Sequence, residues 1–157
     1  MSFTVLIAQY SLLGILGLDS LSKEEQDTFN LQAARLAFKN ALVTCKEENL
    51  ITEEQINNLS AIKDPVEVQN KIIQLVPHFN EITVKEVTKI KIQALRTQIT
   101  DFLNFADTKI KSPETKQKIK EICAKLLSLI DSDTLSEQDQ KTLDQYQMLR
   151  SKLNFNH

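Results

Sequence analysis

The chain has 157 residues, 25% charged and 41% hydrophobic, with only two Gly, three Pro, two Cys, two His and no Trp. Basic and acidic groups nearly balance, 19 against 21, and the apolar fraction is too high for a disordered chain. Two Gly build neither a phosphate loop nor a dinucleotide fingerprint, and two widely spaced His and Cys do not make a metal site on their own.

Phe3 to Leu18 reads FTVLIAQYSLLGILGL, an apolar stretch of 16 residues against about 20 needed to span a bilayer. Gln9, Tyr10 and Ser11 interrupt it, and no Lys or Arg precedes Lys23, so the basic start of an export signal is missing. A single opening helix over Phe3–Leu16 is expected, serving as core or as an oligomer interface. Peripheral membrane contact and export are the weaker readings. No integral membrane span and a cytoplasmic location are expected. Gly17 is placed to end the helix in the left-handed region.

Ser22-Lys-Glu-Glu25 is a capping box, in which hydroxyl and carboxylate each satisfy a backbone N–H left over at a helix start. It opens a second helix to about Glu48. Leu31, Ala34, Phe38, Leu42 and Cys45 form one apolar row; Phe29, Ala33, Leu36, Ala37 and Ala41 form another. A helix apolar over most of its circumference is expected at the centre of a bundle. Thr52-Glu-Glu-Gln55 opens a short helix to Ser60 with Ile56 and Leu59 inward. Asp64-Pro65 opens the next, with Val68, Ile72 and Leu75 inward, and Pro77 closes it.

Thr83-Val-Lys-Glu86 reads as a further box, predicting a long helix over Val84–Ile110. Its apolar stripe is Ile92, Leu95, Ile99, Phe102, Ala106 and Ile110. Ser112-Pro113-Glu114 opens a helix to Ile130 with Ile119, Ile122, Cys123 and Leu126 inward. Ser136-Glu-Gln-Asp139 opens the last, to Leu153, with Leu143, Tyr146 and Leu149 inward. No segment alternates like a strand. The expected fold is all-α, a six- or seven-helix bundle around a central Ala/Leu-rich second helix, as one domain over 1–157 with possible sub-units 1–80 and 81–157.

The order Leu16-Gly-Leu-Asp19, Leu21, Glu24-Glu25, Leu50-Ile-Thr-Glu-Glu-Gln55, Asp64-Pro65 and Val76-Pro77-His78-Phe79 resembles an uncharacterised bacterial helical domain family. The resemblance covers residues 12–95. It implies a helical fold and a bacterial setting and transfers no catalytic residue. LSKEEQDTF at 21–29 also resembles LSEQDQKTL at 135–143, as two capped starts would.

The near-neutral total hides a split. Residues 1–84 carry net −5, residues 85–125 net +5, and residues 126–157 net −2. A Lys-rich stretch of this kind can meet phosphate backbones or an acidic protein. Against nucleic acid stand the near absence of Arg and the core-like spacing of Phe102 and Phe105.

Nucleophilic catalysis needs a base within reach of a nucleophile. His78, flanked by Pro77 and Phe79, reads as a ring at a helix C-terminus, and His157 is the terminal residue. The paired acids Glu24-Glu25, Glu47-Glu48 and Glu53-Glu54 sit at helix ends. Cys45 and Cys123 read as buried single thiols. No catalytic residue, metal ligand or cofactor is assigned.

The expectation is a non-enzymatic protein-interaction module, self-associating through Val5, Ile7, Leu12 and Leu13. The alternative is an acidic-partner or, less favoured, nucleic-acid binder using Lys109, Lys111, Lys116, Lys118 and Lys120. A third reading is a small inhibitor or anti-defence protein.

Overall fold

The computed structural model describes residues 1–155, so His157 lies outside the described residues. Those residues form helices and turns with no strand. The helices are α1 (Phe3–Ala8), α2 (Leu12–Leu16), α3 (Lys23–Glu47), α4 (Glu53–Ser60), α5 (Pro65–Leu75), α6 (Phe79–Lys109), α7 (Pro113–Leu129), α8 (Glu137–Gln140) and α9 (Thr142–Lys152).

The helix starts follow the chain's local chemistry. In the Ser22–Glu25 box the Glu25 N–H donates to Ser22 Oγ (3.2 Å) and the Ser22 N–H to Glu25 Oε2 (3.1 Å). Thr52–Gln55 and Ser136–Asp139 are closed the same way. Asp64 and Ser112 cap α5 and α7, each with Pro at the first helical position. The likeness of 21–29 to 135–143 is confined to this cap, since α3 runs 25 residues and α8 only 4.

Three helices end in one geometry. Gly17, Asn49 and Asn154 take positive φ of 70°, 59° and 57°. The residue after each donates its N–H five residues back: Leu18 to Leu13, Leu50 to Cys45 and Phe155 to Arg150. These are Schellman ends, and Asn supplies the left-handed residue at two of them. That is one reason so few glycines suffice.

Three expected helices differ. The opening helix is broken into α1 and α2, because the Ser11 side chain accepts from the Gly14 N–H (3.0 Å) and starts a second helix. The closing helix is divided at Lys141 into α8 and α9, with no side-chain cap at the break. The long helix starts at Phe79, not Val84. Thr83 is no cap: its hydroxyl donates back to the Phe79 carbonyl (3.0 Å), a bond that only an ongoing helix provides. At 31 residues α6 is about 46 Å long.

The chain divides into two compact units, neither matching 1–80 or 81–157. One joins Met1–Gln26 to the chain from Ile90 onward, and the other is Asp27–Lys89. The boundaries fall within α3 and α6, so no linker composition marks them.

The first unit is built on Leu95, Ile99, Phe102 and Ala106 of α6, Ile119, Cys123 and Leu126 of α7, and Leu143 and Tyr146 of α9. Phe3, Leu6, Ile7 and Ile15 complete that core. The Phe102 ring meets Tyr146 edge-on (centroids 5.7 Å) and stacks on Phe155 (5.0 Å). Backbone bonds from the Phe3 N–H to the Ser132 carbonyl (3.0 Å) and from the Leu135 N–H to the Met1 carbonyl (2.8 Å) hold the amino terminus in place.

The second unit packs Ala41 and Cys45 of α3 with Ile51, Leu59, Ile72, Val76, Phe79 and Ile82. Within it Glu86 is buried, accepting from Thr44 Oγ1 (2.9 Å) and Lys89 Nζ (3.0 Å). Both cysteines are buried free thiols.

Candidate functional site

The apolar opening segment does not supply a contact face. Ile7 is fully buried and Leu13 nearly so, Leu12 is half-buried, and only Val5 of the four is exposed. Breaking the segment at Ser11 lets α1 and α2 each turn apolar side chains into the core, so its surplus of apolar residues is spent inside the fold. Among the described residues no helix is long and apolar enough to cross a membrane.

The second helix departs further from expectation. α3 buries only Ala37, Ala41 and Cys45, all in its C-terminal half, so it is not a central helix. Its heptad-spaced residues Phe29, Leu36 and Val43 lie on one side, because seven residues return to within about 20° of the starting direction. Phe29 is half-buried, while Leu36 and Val43 are 47% and 46% exposed. Leu31 is also exposed (52%) but lies about 140° round the helix from this stripe. Arg35 and Lys39, both exposed, neighbour this stripe. Periodicity reports which residues share a side; it is silent on whether that side has a partner, which is why the sequence reading assigned both apolar rows to the core.

Half of the basic region is met by neighbouring acids. Lys118 Nζ lies 3.9 Å from Glu114, Lys120 Nζ 3.9 Å from Asp107 and Lys125 Nζ 3.8 Å from Asp139. Arg96 bridges to Asp131 at 3.4 Å. Lys91 donates to the Ala8 carbonyl (3.4 Å), and burial holds its pKa below the usual lysine range. Lys109 and Lys111 are exposed around the α6–α7 turn, with Lys116 half-buried on α7. Phe102 is fully buried and Phe105 packs against it, so neither is a stacking platform for bases.

One polar cluster is buried in the first unit. Arg150 is 3% exposed, and its Nη1 donates to the Ile15 carbonyl and to Gln98 Oε1, its Nη2 to the Gly14 carbonyl (3.1 Å). Tyr146 Oη donates to the same Gln98 Oε1 (3.0 Å). Burial pushes the Tyr146 phenol well above its usual range, so it stays a donor. A guanidinium at the end of α2 meets two carbonyls of its last turn, one of which, Gly14, also accepts from the Gly17 N–H (3.2 Å), an arrangement that secures the helix end and presents no base or nucleophile. The sequence assigned Arg150 to nothing; its place one turn after Tyr146 on a stripe of inward residues was the available signal.

A surface cleft of about 280 Å³ lies between Leu16 and the Gln93–Asp101 stretch of α6. His78 is exposed and stands just before α6, where its carbonyl accepts from the Ile82 N–H (3.2 Å). It therefore begins a helix, where a cationic ring gains nothing from the dipole, and does not end one. Among the described residues no group of three or more His, Cys, Asp or Glu side chains is placed to hold a metal ion. No family model, curated protein or solved structure matches this chain.

Proposed function

We propose that this chain is a non-enzymatic protein-interaction module of the cytoplasm, and that its contact face is the exposed apolar side of α3. The carrying observation is the heptad of Phe29, Leu36 and Val43 on a helix whose first half buries no residue. Soluble folds rarely leave large aliphatic side chains in register on an open surface without a use for them. The partner is a protein helix presenting its own apolar stripe, flanked by acids that meet Arg35 and Lys39. This moves the expected contact away from the N-terminal segment, whose Phe3, Leu6, Ile7 and Ile15 are in the core.

A photo-crosslinking amino acid at Leu36 or Val43, expressed in the native cell, tests the reading. Discrete protein adducts are expected at both positions and none at Gln74, an exposed position on α5. An adduct of twice 17.9 kDa would identify the partner as a second copy. Folded protein without an adduct at either α3 position would reject the proposed face.

A further inference from the structure

The second unit carries a cavity of about 190 Å³ between α4 and α5. Helical spacing brings Gln55, Asn58 and Leu59 to one side of α4, with Ile62 just beyond its end. Lys71 and Leu75, four apart, face them from α5. The walls are therefore three aliphatic side chains, and the polar groups are two amides and one ammonium.

The charge of that lining is of one sign. In the α4 capping box Gln55 Oε1 accepts from the Thr52 N–H (2.9 Å), so the amide has its Nε2 donor left to offer. Lys71 is exposed and is the sole charged residue of the lining. An ammonium and amide N–H donors beside aliphatic walls suit an anion with an apolar body, whereas a cation would meet amide oxygens but no carboxylate in the lining. An apolar cavity of about 150 Å³ holds benzene, so this one takes roughly seven to nine non-hydrogen atoms.

We propose that the α4–α5 cavity binds the carboxylate of a short branched aliphatic group. The tail packs on Leu59, Ile62 and Leu75, and the carboxylate meets Lys71 with the Gln55 and Asn58 amides. Two sources present this chemistry: a free aliphatic acid and the C-terminal Leu or Ile of a peptide. Glu67 stands one turn before Lys71 on α5 and opposes the anion. The site is separate from the α3 stripe, so its failure leaves the interaction proposal standing.

The test is an amide-shift titration of the full chain with 4-methylpentanoate, with 4-methylpentanamide as the uncharged control. Saturable shifts centred on Gln55, Asn58, Leu59 and Lys71 are expected, with affinity on the order of millimolar for so small a ligand. Lys71→Gln, on the surface and safe for folding, should weaken the acid about fivefold and leave the amide unchanged. Glu67→Gln should tighten it about twofold. Acetyl-Ala-Ala-Leu with a free terminus, compared with its C-terminal amide, separates the two sources; saturable binding of either carboxylate in preference to its amide upholds the site. The proposal is overturned if neither acid nor peptide gives saturable shifts by about 20 mM. It is equally overturned if acid and amide bind alike, if Lys71→Gln binds the acid as wild type does, or if the shifts centre on residues outside α4 and α5.

Discussion

Arg150 donates from its Nη1 to the backbone carbonyl of Ile15, 135 residues earlier in the chain. The same guanidinium reaches the Gly14 carbonyl and Gln98 Oε1, so one buried side chain ties α9 to α2 and α6. Arg150→Met keeps much of the apolar stem but leaves three acceptors without this donor. A loss of about 2–4 kcal/mol in unfolding free energy is expected. Urea unfolding should show the midpoint falling with an unchanged slope. A loss under about 0.5 kcal/mol would mean that water serves these carbonyls equally well.

Tyr10 and Asp144 make a second tie between the same ends of the chain. The phenol donates to Asp144 Oδ1, and burial followed by the Asp144 carboxylate pushes its pKa from 10.0 up to about 12. A raised phenol pKa means that the folded state keeps a proton the unfolded state has released. The stabilisation is complete below pH 10 and is lost as pH rises toward 12. The wild type should therefore lose stability across that window more steeply than Tyr10→Phe. Parallel alkaline losses in the two proteins would refute the linkage.

The left-handed Asn49 makes a clean test of the helix ends. With φ at 59°, Asn49→Gly should stabilise by a few tenths of a kcal/mol, and Asn49→Ala should destabilise by about 1 kcal/mol. Thermal unfolding of the pair reads the sign directly. Equal melting temperatures would show that the end frays.

Leu36→Glu and Ile72→Ala separate surface from core within the second unit. Ile72 is 1% exposed, and its truncation should cost about 2–5 kcal/mol. Leu36→Glu, at 47% exposure, should stay within about 0.5 kcal/mol of wild type while abolishing any contact through α3. A large folding defect in Leu36→Glu would place that side chain in packing and remove α3 as a free face.

The starts at Ser22, Thr52, Asp64, Ser112 and Ser136 were legible because a cap is a local bargain among four residues. The stripe from Ile92 to Ile110 was legible because a single strong period marks it, and its central members Leu95, Ile99, Phe102 and Ala106 are buried. Ser11 escaped notice because Gly14, three residues on, is neither the acid nor the amide that closes the boxes at Ser22, Thr52 and Ser136. Thr83 misled in the opposite way: Glu86 follows at the box spacing but turns inward to Thr44 and Lys89. The burial of Ile7 and Leu13 and the exposure of Leu36 and Val43 both depend on distant chain, to which local spacing carries no pointer. The α4–α5 cavity is of that kind too, since Lys71 and Gln55 meet only through the packing of two helices.

The Schellman ends at Asn49 and Asn154 also bear on how the chain ages. An asparagine deamidates when the backbone nitrogen of the next residue attacks its side-chain carbonyl carbon. At both positions that nitrogen is already committed, Leu50 to the Cys45 carbonyl at 2.8 Å and Phe155 to the Arg150 carbonyl at 3.0 Å. A bulky Leu or Phe crowds the approach as well. The folded state thus shields these two amides from the slow conversion to aspartate, and each unfolding excursion exposes them to it.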